Sequence, residues 1–396
     1  MKFYNQICAY IDDHHEEMIE NWKTFVNLEG RYDEKENVEK AQAWFRAELE
    51  ATGFKTRTAP SRPDRCSVLL AELGEGRPGK PILFAGHLDT VHPKGAFGGE
   101  NPFRIKDGKA YGPGVLDMKG GLIIALYVCK ALQAIGFDTN PIKMVVAGEE
   151  EGDHIDTNVD QLITEESRGA LLALNMETGH ITNSLCVGRK AQYTFFATVH
   201  GKGGHAGNEF TKGHNALNEA VYKITELLKI VDLDRGTYVT PSVMHCGKNT
   251  SSIPDRCEFA VDVRISNAAE GSRVKESVDK IMKTAYVPGT TTEYELVTAN
   301  LFAFEPNEKI LWLWNEMNRV AQECGYEPFG KITLGGASDT GAIARADIPV
   351  LCSCGVIGEF NHSLKEYAVV QSMFDRAKIF TEALVELGGY TGKNKS

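Results

Sequence analysis

Nothing in this 396-residue sequence is long and apolar enough to suggest a membrane span. Its longest apolar stretch, Leu122 to Ala134, is broken by Lys130 and falls short of the roughly 20 residues a bilayer requires. There is no Lys/Arg cluster, and the formal net charge is -11, a poor match for a nucleic-acid binder. The acidity is spread along the chain, so an anionic substrate stays open: a few local Arg residues override a diffuse field. The 9 cysteines contain no CxxC pair, and Cys352 and Cys354 are the closest two. An odd number without paired spacing reads as reduced, mostly buried thiols in a cytoplasmic protein. Met1 to Glu17 lacks an apolar run and carries Asp12, Asp13, Glu16 and Glu17, which argues against a secretory signal. Neither an internal repeat nor a low-complexity tract is found, and only Gly392 to Ser396 reads as a frayed polar end.

What is present reads as an ordinary globular chain, 42% hydrophobic and 24% charged, too long for one ordinary core. Helical spacing runs from Asn37 to Thr52, with Val38, Ala41, Trp44, Phe45 and Leu49 on one face. Ser67 to Glu72 is a short apolar run. Ile82 to Ala85, Ile142 to Ala147 and Ala170 to Leu174 read as buried strands, with a helix over Gly120 to Gly136. Strands alternating with helices predict an α/β fold with a largely parallel sheet flanked by helices. After Gly188 the pattern changes to a half-exposed strand, Tyr193 to His200, then helix 215–230, strands 237–245 and 257–265, and helix 271–286. From Pro306 the earlier style returns, with a helix over Glu308 to Cys324, a strand over Val350 to Cys354 and a helix over Glu366 to Leu387. The expected organisation is a catalytic domain, 1–188 and 302–396, interrupted by an αβ domain at 189–301.

Candidate ligands stand where strands end, the edge at which open α/β sheets form sites. They are His87 with Asp89, Asp117, Glu149 with Glu150, Glu177, and, far downstream, His362. Taken singly each has a plainer reading: a structural His, a helix cap, a solvated acidic run, a turn residue. Together they do not. Acids converging on one sheet edge repel unless a cation neutralises them. Imidazole plus carboxylate without Cys suits zinc, with cobalt or manganese as replacements, and two ions sharing a carboxylate polarise a carbonyl and activate water. Asp89, two residues after His87, is placed to fix its tautomer. Of the adjacent Glu149 and Glu150, one can serve the metal and the other stay free as a base.

The runs Gly86-His-Leu-Asp-Thr-Val91, Gly112-Pro-Gly-Val-Leu-Asp-Met-Lys-Gly-Gly121, Gly148-Glu-Glu-Glu-Gly152 and Asn175-Met-Glu-Thr-Gly179 resemble the zinc aminoacylase/carboxypeptidase family. That family includes glutamate carboxypeptidase, acetylornithine deacetylase and succinyl-diaminopimelate desuccinylase, and the resemblance spans nearly the whole chain. It implies Asp117 as the bridging ligand, His87 and Glu177 on one zinc, Glu150 and His362 on the other, and Glu149 as general base, with Asp89 behind His87. It makes the inserted segment a lid and dimerisation domain. His205, in Gly201-Lys-Gly-Gly-His-Ala-Gly207, would reach the active site of the partner subunit and stabilise an oxyanion. Arg264 would hold the substrate carboxylate, and Gly335, Gly336 and Ser338 would form a substrate loop. One departure stands out: Ser251 occupies the place of a usual Asn two residues before Ile253-Pro254.

The implied activity is a di-zinc hydrolase, a homodimer, cutting an amide bond beside a free carboxylate in short peptides or N-acyl amino acids. A deacylase of acetylornithine type and a dipeptidase stay open as alternatives. A non-catalytic binding homologue would be expected to have lost Glu149 or a ligand, and a metal-free structural subunit would carry less than one zinc per chain.

Overall fold

The computed structural model describes residues 2–298 and 302–392. Residues 393–396 of the expected frayed end lie outside them, as does the domain boundary expected at residue 301. The chain divides into two compact units. One runs to Gly188 and takes up again with Pro306–Thr333 and from Ser338 onward; the other comprises Arg189–Glu305 with Leu334–Ala337.

The first unit is built on a six-stranded sheet. Its strands are β1 (Lys55–Ala59), β2 (Val68–Leu73), β3 (Ile82–His87), β4 (Ile142–Ala147) and β5 (Leu172–Asn175), in the order β1-β2-β4-β3-β5, closed by Val350–Leu351. β4, β3, β5 and the last strand are parallel. β2 and β1 are added antiparallel at one edge. Helices pack on the parallel strands, and β3 is buried at every position. Helix α1 (Lys119–Ala134) has 13 of 16 residues buried, so it is a core helix rather than an amphipathic surface one. It packs on the C-terminal helix Val370–Leu387. Its opening Gly pair is demanded by a close approach. A Cβ on Gly121 would sit 1.9 Å from the Met176 carbonyl oxygen, and one on Gly120 2.7 Å from that of Val115. Only glycine lets the first turn of α1 lie against the segment that carries Glu177.

Two N-terminal helices, Tyr4–Asp13 and His15–Asn27, were not expected from the sequence. Their buried stripes are short, Ile7 and Ile11 in the first and Met18, Trp22, Phe25 and Val26 in the second. The intervening acids hide the period.

The second unit is a four-stranded antiparallel sheet of β6 (Ala191–His200), β7 (Tyr238–Cys246), β8 (Arg256–Ile265) and β9 (Thr291–Thr298), in the order β7-β8-β6-β9. Helices α2 (Ala216–Leu228) and α3 (Ala268–Lys283) pack on it. Each is capped by an Asn, Asn215 and Asn267, whose side chain accepts from first-turn N–H groups. Phe195, Val199, Val261 and Val263 from the sheet meet Ala220, Leu227, Val274 and Val278 in one core. Alternate residues Phe196, Glu258, Asp262 and Arg264 are left on the face away from that core. β9 was not anticipated, because its Thr- and Glu-rich run carries little apolar signal. No helix among the described residues is long and apolar enough to cross a membrane.

Candidate metal centre

Three parallel strands deliver the polar residues to one edge of the first sheet. β3 ends on His87, β4 runs into Glu149-Glu150-Glu151, and β5 runs into Met176-Glu177. Asp117 arrives on the loop before α1, and its side chain does not cap that helix. His362 follows the strand Ile357–Glu359 with a left-handed φ of 60°.

Nε2 of His87, a residue only 1% exposed, lies 3.3 Å from Oδ1 of Asp117, 3.5 Å from Glu177 and 3.8 Å from Glu150. None of these makes a hydrogen bond with it, so a buried nitrogen faces three carboxylates without a proton-sharing partner. On the other side, Nε2 of His362 stands 3.3 Å from Oδ2 of Asp117 and 3.2 Å from Glu151. Asp117 thus turns one oxygen to each imidazole. His87, Glu150 and Glu177 bring ligand atoms within metal-binding distance of one another, and so do His87, Asp117 and Glu151.

Electrostatics tell the same story. Burial, with Glu177, Glu151 and Asp339 nearby, pushes the Glu150 carboxyl well above its ordinary range. Burial and Asp117 raise Glu151 to about 7. Against its burial, Asp117 is held well below the usual carboxylate range by His362 and His87. Asp117 and Glu151 in turn raise His362 to about 11. A cluster that must protonate its acids or charge its imidazoles when empty is satisfied instead by divalent cations. The donor set of His nitrogen and carboxylate oxygen fits such cations.

Supporting contacts fix these groups. Nδ1 of His87 is 3.0 Å from the backbone carbonyl of Asp89 and 3.5 Å from its carboxylate. Nδ1 therefore carries the proton and Nε2 offers its lone pair. The Asp89 carboxylate accepts instead from the N–H groups of Glu150 (3.2 Å) and Glu151 (3.0 Å), tying β3's exit to the acidic turn. Glu366 accepts from the N–H groups of Leu116 (2.8 Å) and Asp117 (3.0 Å) and so pins the loop bearing the shared carboxylate. It lies just before the final helix, whose start was placed four residues too early from the sequence.

In the acidic turn the three carboxylates point in different directions. Glu151, not Glu150, meets His362. Glu150 lies beside His87 and Glu177. Glu149, expected as the free base, turns away: it accepts from Ser61 Oγ and lies 3.9 Å from both Arg65 and His154. The cause is local. Glu149 stands outside the turn at φ -157° and ψ 30°, and Glu150–Gly152 is a tight 3-10 turn, so successive side chains diverge by about a third of a turn. His154, fully buried, donates to Asp339 at 2.7 Å. Although burial opposes it, Asp339 and Glu149 raise His154 to about 10, so it is an imidazolium between two acids.

Ser338, expected in the substrate loop, is 1% exposed, and its hydroxyl donates to Thr340 Oγ1 at 2.9 Å. Glu151, Ser61, His154, Asp339 and Glu366 were not assigned from the sequence. The third acid of the Glu triplet was the one available signal.

His205, Arg264, Gly335 and Gly336 belong to the second unit. His205 is exposed on a Gly-rich loop. Arg264 is half-buried, and its Nε donates to Asp262 two residues back on the same strand at 2.9 Å. Gly335 and Gly336 are exposed, and Arg189 donates to the carbonyls of Gly336 (3.3 Å) and Ala337 (3.1 Å). Ser251, standing in place of the usual Asn, receives the Ala206 N–H on its carbonyl (2.9 Å), and its own N–H donates to the Asn249 side chain (3.0 Å).

The parallel sheet thus delivers His and carboxylates around Asp117, a donor set that suits a divalent cation. The model of peptidase family M20/M25/M40 matches residues 83–386, and the chain belongs to that family. It is 26% identical over 387 residues to carboxypeptidase G2 of a Pseudomonas species, covering 97% of this chain and 92% of that protein. It is 27% identical over 364 residues to succinyl-diaminopimelate desuccinylase of Rickettsia felis, covering 86% and 92%. A tripeptidase from Staphylococcus aureus shares the fold with a TM-score of 0.81 at 20% identity, over 95% of this chain and 99% of that one. Human carnosine dipeptidase 1 does so at 0.70 and 16% identity, over 98% and 100%. The chain is a metal-dependent hydrolase that cleaves amide bonds.

Proposed function

We propose that the chain cleaves an amide bond next to a free carboxylate, in short peptides or N-acyl amino acids, with two zinc ions held around Asp117. The observation that carries this reading is the division of the Asp117 oxygens between His87 and His362. His87 and Glu177 would hold one ion, Glu151 and His362 the other. When bound, the pair supplies Lewis acidity and eases deprotonation of a water.

The chain's own residues do the rest. Glu150 lies among the acids without pairing to His362, and is placed to take the proton of the attacking water and return it to the leaving nitrogen. Asp89 keeps the Glu150-Glu151 turn in register through its two N–H bonds, and Glu149 anchors the turn from behind through Ser61. Arg264 holds the substrate carboxylate with the guanidinium nitrogens that Asp262 leaves over. The second unit serves as lid and dimerisation domain, and His205 acts in the partner subunit's site as donor to the developing oxyanion. Support for the dimer is the apolar surface of that unit. Val221, Tyr222 and Leu228 are exposed on α2, and Tyr238, Val243 and Met244 on the edge strand β7. The nine free cysteines support a reducing, cytoplasmic compartment.

A panel of N-acyl amino acids, dipeptides and tripeptides, each with and without a C-terminal amide and assayed with added zinc or cobalt, tests the substrate class. Cleavage confined to free carboxylates is the expected outcome. Equal cleavage of the amidated forms would overturn it.

A further inference from the structure

The loop that carries His205 is closed on itself. At its base Lys202 and His214 exchange both backbone hydrogen bonds, at 2.8 and 2.9 Å. Gly204 and His205 pair antiparallel with Ile253 and Ser252. Within this frame one ring nitrogen of His205 is already occupied. The backbone N–H groups of Gly207 and Asn208 both donate to Nδ1, each at 3.2 Å. A ring nitrogen that accepts cannot carry the proton, so the neutral imidazole holds its hydrogen on Nε2.

Glu209 makes this geometry. Its carboxylate accepts the His205 N–H at 2.9 Å, and its own N–H donates to the His205 carbonyl at 2.9 Å. Residues 205 and 209 are thus joined twice, and the chain between them is bent so that two N–H groups point at the ring. A carboxylate in that place also favours the turn electrostatically, because it receives a backbone donor that would otherwise be left to water.

We propose that Glu209 is a positioning residue that locks His205 in the Nε2–H tautomer, so that His205 acts only as a hydrogen-bond donor to a substrate carbonyl oxygen and not as a proton acceptor. This rests on the reading of His205 as the oxyanion donor. The lock itself is a property of the loop. It makes the donor available at every encounter, where a free imidazole would divide its proton between two nitrogens.

The test is nitrogen-15 NMR of the histidine-labelled holoenzyme, with His205 assigned by the signal missing in His205→Gln, at a pH where the ring is neutral. The expected result is a protonated Nε2 and an accepting Nδ1. Glu209→Ala should give a mixture of tautomers and a roughly tenfold loss of kcat with KM nearly unchanged. Glu209→Gln, which keeps an acceptor for the His205 N–H, should restore both. A protonated Nδ1 in the parent protein, or an unaltered tautomer in Glu209→Ala, would overturn the lock. A shifted tautomer in Glu209→Ala, with kcat unchanged there and in His205→Ala, would sustain the lock and overturn the oxyanion role instead.

Discussion

The two units present their functional residues in opposite ways. In the first, His87, Asp117, Glu150 and Glu177 are buried and crowded, with three carboxylates around one imidazole nitrogen. In the second, His205, Gly335 and Gly336 are exposed, and Arg264 is half-buried beside its own Asp262. Burial makes a polar group declare itself, because an unexplained buried charge costs several kcal/mol, on the order of the total stability of a small domain. Exposure removes that demand. The metal centre is therefore legible from physical chemistry, whereas the roles of His205 and Arg264 come from resemblance and need experiment.

The sharpest break of this contrast lies in the shared carboxylate. Asp117→Asn removes the charge that faces both His87 and His362. It should abolish activity and strip both ions, read by elemental analysis of the purified variant. Retention of two ions per chain would mean that Asp117 is not shared. Next come the second unit's residues, where folding and metal content should stay unchanged and only kinetics move. His205→Ala should lower kcat by about 10²–10³-fold. Arg264→Ala should act mainly on KM, raising it by about 10–100-fold for carboxylate substrates, the worth of one or two charge-assisted hydrogen bonds. If either variant loses metal instead, the two units are not separable in the way described.

The smallest effect belongs to the anchor behind the acidic turn. The His154 pKa is raised from 6.5 to about 10 in the folded chain. Its contribution to stability is thus complete below about pH 6.5 and is lost as pH rises through 10. His154→Gln should lower stability by about 1–3 kcal/mol at pH 6 and by clearly less at pH 10, measured as the shift in urea midpoint. A deficit that is the same at both pH values would show that His154 is not held charged by Asp339 and Glu149.

Much of the fold was legible because its signals are local. Ile142–Ala147 reads as a strand in sequence and is one, since its run is apolar but for Lys143 and is largely buried. His87, Asp117, Glu177 and His362, expected at strand ends, are brought together at one sheet edge. The register within Glu149-Glu150-Glu151 was not legible. Three identical side chains in a row differ only in direction, and direction is set by a 3-10 turn that no composition reports. His154, Asp339 and Glu366 were hidden for a related reason: each acts on a residue remote in sequence, Glu366 on Asp117 across 249 positions.

The central claim is that Glu150 moves the proton while Glu151 holds metal and Glu149 only anchors. The direct test is to measure metal content and turnover together for Glu149→Gln, Glu150→Gln and Glu151→Gln. Glu150→Gln should keep two ions per chain and lose about 10²–10⁴-fold in kcat. Glu151→Gln should lose an ion, and Glu149→Gln should keep both ions and most of its rate. A Glu149→Gln variant that keeps both ions and is inactive, beside an active Glu150→Gln, would contradict the account.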